Sequence, residues 1–268
     1  MTDKKVLFVS SEVIPYLPEN EISLMSYETM RMVNARGGQI RIFMPKFGNI
    51  NERRHQLHEV IRLSGMNLII NDMDMPLIIK VASIPKERIQ VYFIDNEDYF
   101  KRKATFSDEE GKLFPDNDER AIFFAKGVVE TVKKLNWSPD IIHVHGWMSA
   151  LAPLYLRKYY GDEPLFSESK IITSVYNKDF EGTLGEDITN KLKFDNIGGK
   201  DLSLLKESDY NSLLKVAIHN SDAVIVASEK IPGELREHLD SLNKPVLSYV
   251  EKDEFETAYI DFYNKVLN

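Results

Sequence analysis

Cysteine is absent from this sequence. That excludes disulfides, thiolate metal sites and cysteine nucleophiles together, and it fits a reducing compartment. Long apolar runs are also absent. No stretch approaches the ~20 residues of a membrane span, and Val6–Val9 is far too short for the core of a signal peptide. A cytoplasmic protein is expected. Positive charge is scarce: 34 Lys and Arg stand against 42 Asp and Glu, a net charge of −8. That balance argues against nucleic acid and anionic membrane as partners. The short basic runs Lys4-Lys5, Arg53-Arg54, Lys101-Arg102-Lys103 and Lys133-Lys134 read as solvated surface. Neither G-x-S-x-G, nor a P-loop, nor G-x-G-x-x-G occurs, and no cofactor is expected.

The chain is 268 residues long, 43% hydrophobic and 28% charged, enough for a substantial core without covalent staples. Short, β-branched, nearly continuous apolar runs predict strands at Val6–Ser10, Ile40–Met44, Leu77–Ala82, Val91–Ile94, Ile141–His145, Ile171–Val175 and Ala223–Ala227. Leu77–Ala82 and Val91–Ile94, joined across Pro85-Lys86-Glu87, read as a hairpin. Helical spacing predicts Ile22–Arg36, stopped by Gly37-Gly38; Asp116–Leu135, with Asp118 as its N-cap; Met148–Tyr159; and Leu204–Ser221. Asn49–Asp74 reads as a polar insertion and Phe180–Ser203 as a glycine-rich loop. Alternating strands and helices predict an α/β fold, a doubly wound, mostly parallel, Rossmann-like sheet. Residues 1–250 are expected to form one domain. A helix within 251–268, with Phe255, Tyr259, Phe262 and Val266 on one face, is expected to dock on that domain or on a partner.

In such sheets ligands bind at the carboxyl ends of the strands. The first strand delivers Ser10-Ser11-Glu12 there. The strand in Asp140-Ile-Ile-His143-Val-His145-Gly146-Trp147-Met148 delivers His145 and Trp147, and a later strand delivers Tyr176 and Asn177. An aromatic ring beside Asn, Glu and His suits a sugar: the ring covers a C–H face and the polar groups take hydroxyls. Two readings stay open, a sugar site or a core tryptophan with a capping histidine. His143 and His145 share a strand face, but no local third ligand completes a metal site, so none is expected. After the first strand, Pro18-Glu19-Asn20-Glu21 offers no glycine and two carboxylates, which disfavour a bound pyrophosphate.

Several segments, taken in order, resemble the bacterial glycogen synthases and plant starch synthases. They are Lys5-Val-Leu-Phe-Val-Ser-Ser-Glu-Val-Ile-Pro-Tyr16, Val91-Tyr-Phe-Ile-Asp-Asn-Glu-Asp-Tyr-Phe100, Phe114-Pro-Asp-Asn-Asp-Glu-Arg120, Ser138-Pro-Asp-Ile-Ile-His-Val-His145, Leu151-Ala-Pro-Leu-Tyr-Leu156 and Ser221–Glu229. The resemblance implies one half of a two-domain glycosyltransferase, the glucan-acceptor side. It implies substrate-binding roles for Glu12, Tyr99, His145, Trp147 and Asn177. It also exposes departures. The family's Lys-Thr-Gly-Gly-Leu, whose lysine meets the donor phosphates, is here Pro18-Glu19-Asn20-Glu21-Ile22. Its His-x-His-Asp-Trp-His is His143-Val-His145-Gly146-Trp147-Met148, and its Thr-Val-His-Asn is Ser174-Val175-Tyr176-Asn177. The chain ends where the family's second domain would begin, so about half the family architecture is expected to be missing.

Three functions follow from these readings. The first is a degenerate, stand-alone domain, a pseudoenzyme with no catalytic residue of its own. It would bind an α-glucan, a maltooligosaccharide or a protein of glucan metabolism without transferring glucose. The second is an active glucosyltransferase from ADP-glucose or UDP-glucose to α-1,4-glucan, alone or with a separate chain supplying the donor domain. The third is a regulatory or structural interaction module with no sugar site. Under any of them a protein partner or a second copy would meet the carboxyl-terminal helix or the cleft face.

Overall fold

The computed structural model describes residues 1–185 and 187–268. Its strands are β1 (Lys5–Ser10), β2 (Gln39–Pro45), β3 (His58–Glu59), β4 (Met66–Ile70), β5 (Met73–Ile84), β6 (Ile89–Asp95), β7 (Ile141–His145), β8 (Lys170–Val175), β9 (Ala223–Val226) and β10 (Val246–Leu247). Its helices are α1 (Glu21–Ala35), α2 (Glu52–His55), α3 (Glu97–Phe100), α4 (Asn117–Lys134), α5 (Ala152–Lys158), α6 (Ile188–Phe194), α7 (Lys200–Leu204), α8 (Tyr210–His219), α9 (Gly233–Asp240) and α10 (Phe255–Leu267).

The sheet runs β10-β9-β8-β7-β1-β2-β6-β5-β3, with β4 paired to β5. From β10 to β6 every pairing is parallel. The β5–β6 pair is antiparallel, the hairpin the sequence predicts, in register from Ile78↔Asp95 to Ile84↔Ile89. The predicted insertion Asn49–Asp74 holds α2, β3 and β4, which line the antiparallel edge. From β1 the chain moves outward through β2, then returns to start β7 on the other side of β1. The crevice of a doubly wound sheet therefore opens between the ends of β1 and β7.

Continuous apolar strands make sense here because helices cover both faces. Strand β7 is buried at every position, His143 and His145 included. Asn20 caps α1: its side chain accepts from the Ser23 amide, and the Ser23 hydroxyl accepts from the Asn20 amide. Gly37, at φ +77°, ends the helix in a conformation that favours glycine.

Three helix boundaries differ from expectation. Asp118 is not the N-cap of α4; Asp116 occupies the cap position without a side-chain cap bond, and Asp118 lies in the first turn and accepts from Lys191 Nζ at 2.7 Å. The expected helix Met148–Tyr159 is a 3₁₀ turn, Trp147–Ser149, followed by α5, which restarts with Pro153 in its first turn, where a missing N–H costs nothing. The expected helix Leu204–Ser221 starts later, as α8, because Asp209 caps its start through the Ser212 amide, and Leu204 is the last residue of the short α7. Within the expected loop Phe180–Ser203 the chain forms α6 and starts α7; Glu186 lies outside the described residues.

Helix α10 packs on α1, where Arg31 of α1 and Arg36 at its C-cap reach Glu256. Phe255, Tyr259 and Phe262 face inward as their spacing predicts; Ile260 and Tyr263 are buried with them, and Val266 is half-buried.

Candidate functional site

Strands β1 and β7 bring the first two motifs side by side. Ser10 is in register with His145, and the Ser11 amide donates to the His145 carbonyl at 2.9 Å. Gly146 follows at φ +79°. A Cβ there would sit 2.6 Å from Ser11 Oγ and 3.2 Å from Ile22 Cγ2. The backbone at this corner therefore admits glycine and leaves no room for the aspartate that the resemblance implies unless Ser11 moves.

The two histidines lie at the centre of a hydroxyl network. His143 Nδ1 meets the Tyr263 hydroxyl of α10, and its Nε2 meets Ser174 Oγ at 2.8 Å. His145 Nδ1 meets the Tyr176 hydroxyl at 2.7 Å, and its Nε2 has no partner among the described residues. Burial holds both rings neutral, with His143, which also faces His145, well below the usual imidazole value and His145 pushed down to about 3. Tyr176, which stands where the resemblance implies a histidine, thus takes Nδ1 of His145. Both ring nitrogens of His143 are engaged by hydroxyls. Among the described residues no group of three His, Asp or Glu is arranged to hold a metal ion.

Trp147 is 1% exposed. Phe106 and Phe180 pack over it, with ring centroids at 4.8 and 5.0 Å. The segment Phe114–Arg120 explains the first of these. Asn117 Nδ2 donates to the Phe106 carbonyl at 2.8 Å, and the buried Arg120 donates to the Thr105 carbonyl at 2.8 Å. Arg120 is ringed by Phe47, Phe100 and Phe114, and burial pulls its guanidinium down to about 9. This motif anchors the loop that covers the tryptophan. Phe106 and Phe180 in turn line a cavity of about 320 Å³, shared with Ser107, Leu113, Lys178 and Asp179.

Glu12 is 6% exposed and accepts from Asn20 Nδ2 at 2.6 Å. Burial raises its carboxyl from 4.5 to about 7, against the Asn20 hydrogen bond and with help from nearby Asp179. Glu21 accepts from Ser228 Oγ at 2.6 Å, and the same Ser228 oxygen accepts from the Asn177 amide at 2.9 Å. Ser228, at the end of β9, is a rim residue that sequence reasoning did not single out, although it lies in the matching piece Ser221–Glu229. Asn177 has an exposed side chain. Tyr99 lies apart from this group. It is buried against Phe123, and its hydroxyl donates to Glu119 at 3.0 Å, which Lys191 joins to Asp118. The strand ends therefore bring Glu12, His145, Trp147 and Asn177 to one corner of the sheet, the first three buried and Asn177 exposed, with Tyr99 in the layer behind.

Glu12 gives the site a pH signature. The folded carboxyl holds its proton to higher pH than the unfolded one, so stability from this group is full below pH 4.5 and is lost as pH rises toward 7. The loss is about 3 kcal/mol when complete. Glu12→Gln retains an acceptor for Asn20. It is expected to melt close to the wild type at about pH 5 and roughly 5–10 °C higher at about pH 8. The same melting difference at both pH values would show that Glu12 ionises freely in the folded protein.

Residues 5–244 match a family model described as the starch synthase catalytic domain. A glycogen synthase of Chlorobium luteolum is 34% identical over 226 residues, 84% of this chain and 46% of that protein. One from Chlorobaculum tepidum is 32% identical over 274 residues, 98% of this chain and 52% of that protein. Among solved structures, the catalytic domain of starch synthase IV from Arabidopsis thaliana, bound to ADP and acarbose, superposes with a TM-score of 0.72 over 95% of this chain and 53% of that one. At 17% identity that likeness is one of fold. The chain spans about half the length of the curated relatives it matches.

Proposed function

The chain belongs to the starch synthase catalytic-domain family of glycosyltransferases, and on that footing we propose that it is an acceptor-side domain that binds an α-glucan and does not transfer glucose by itself. The observation that carries this reading is the turn after β1. The start of α1 is capped by Asn20, Glu12 is hydrogen-bonded to that cap, and Glu21 is held by Ser228. Where the family resemblance implies a lysine for the donor phosphates, the helix start here is occupied by its own side chains and flanked by carboxylates. Each close carboxylate–phosphate pair costs about 4 kcal/mol at an effective dielectric near 20. Gly146 and Tyr176 support the same conclusion, because the first cannot gain a side chain without displacing Ser11 and the second already holds His145.

The glucan reading rests on the cavity beside Trp147. Phe106 and Phe180 offer ring faces there, and Lys178 and Asp179 offer groups for hydroxyls. A maltooligosaccharide titrated calorimetrically into the purified chain is expected to bind saturably at millimolar concentration. Phe180→Ala removes one ring and is expected to weaken binding about 2- to 10-fold. Incubation with ADP-glucose or UDP-glucose and glucan is expected to lengthen no chain. Glucose transfer would sink the non-transferring half of the proposal; silence in the titration would remove the glucan half and favour an interaction module.

A further inference from the structure

A second cavity, of about 450 Å³, lies away from the crevice, between the loop after β1, helix α2 and the β5–β6 hairpin. Arg54, His55, Gln56, His58 and Ser83 line it, with Pro15, Ala82 and Pro85 as apolar walls. Its volume is in the range of small-molecule sites. In a chain of net charge −8 it is the sign of the lining that stands out: one guanidinium, two imidazoles and no carboxylate.

The neighbouring carboxylates are already engaged or turned away. Glu52 takes Lys46 at 2.6 Å and Lys80 at 2.9 Å. Glu87 accepts from the Tyr27 hydroxyl. Glu59 follows His58 in β3, so it lies on the opposite face. Among the described residues Arg54 makes no ion pair, and neither His55 nor His58 meets a carboxylate; Arg54 is held at its backbone, where the amide donates to Asn51. The wall is also braced. Tyr16 packs edge-on against His55 at 5.0 Å, and its buried hydroxyl has no partner among the described residues.

We propose that this pocket binds a phosphate monoester dianion or free phosphate. A guanidinium presents a fork of donors matched to phosphate oxygens, and the imidazoles of His55, beside it on α2, and His58, on β3, add N–H donors to the same lining. One guanidinium and two imidazole N–H donors suit a single phosphate group. Gln56 and Ser83 supply neutral hydrogen bonds to whatever the phosphate carries. This inference is independent of any glucan bound at the crevice.

Inorganic phosphate, glucose 1-phosphate and glucose, each titrated calorimetrically into the purified chain, provide the test. Phosphate and glucose 1-phosphate are expected to bind saturably and in competition, and glucose not to compete. Tighter binding of glucose 1-phosphate would identify a phosphorylated sugar as the source of the group; equal binding would identify the free anion. Arg54→Gln is expected to weaken both by about tenfold or more. Arg53→Gln, one residue away and outside the lining, is expected to leave both unchanged, and both variants are expected to melt like the wild type. No binding of either anion would overturn the proposal. So would equal losses in Arg53→Gln and Arg54→Gln, which would mark diffuse surface attraction.

Discussion

Tyr263→Ala is expected to lower the unfolding free energy by about 3–5 kcal/mol, within the span seen when a large buried ring is truncated. Tyr263 is fully buried, and its hydroxyl is the partner of His143 Nδ1 in the middle of the sheet. The substitution therefore opens a cavity under α10 and leaves a buried imidazole nitrogen without a bond. Tyr263→Phe separates the two effects, because it keeps the ring and removes only the hydroxyl. Its expected cost is about 1–3 kcal/mol, the penalty of an unpaired buried polar group. Urea denaturation of the three proteins measures both quantities. An alanine variant as stable as the wild type would mean that α10 does not complete the core in solution.

Lys126→Met is expected to cost a similar amount, about 3–5 kcal/mol, for a different reason. Lys126 lies in α4 at 2% exposure; its Nζ donates to Asp195 at 2.6 Å and to the Ile69 carbonyl of β4 at 2.8 Å. Asp195 also accepts from the Tyr155 hydroxyl of α5 at 2.6 Å. Burial holds the Lys126 ammonium below its ordinary value despite the carboxylate beside it. Removing the cation leaves Asp195 buried with one hydroxyl for company. The methionine chain fills the space, so the loss reports charge and not volume. The double variant Lys126→Met/Asp195→Leu removes both charges and is expected to recover much of the stability, since an apolar pair of similar size often does as well as a buried ion pair. A double variant as unstable as the single one would mean that Asp195 is not the reason for the loss.

The sequence was most readable where burial is two-sided and local. Strands β1, β2, β6, β7, β8 and β9 announce themselves by runs of Val, Ile and Phe that no amphipathic surface element would carry. The rim residues were readable for the same reason, because they follow directly from where those strands end. Long-range closure was not readable. The rings that cover Trp147 come from two irregular segments with no period of their own, so a tryptophan at the carboxyl end of β7 could not be seen to be capped. The bond between His143 and Tyr263 spans 120 residues, and nothing in the spacing of α10 distinguishes Tyr263 from a tyrosine at the helix edge. Asp118 was misplaced because Asp116 and Asp118 are chemically equal candidates for one cap. Lys191, which engages Asp118, lies on a distant helix.

The sheet order has a consequence for how the chain reaches this structure. The β5–β6 hairpin closes over a short turn and needs no other element, so its contacts are among the cheapest in entropy to form. The central strand is the opposite case. β1 pairs with β7, and 135 residues separate Lys5 from its partner Asp140 at the start of that ladder. Closing so long a loop costs entropy before the contacts that reward it can form. The crevice, which exists only where β1 and β7 lie side by side, thus depends on the strand pairing that closes the longest loop in the sheet.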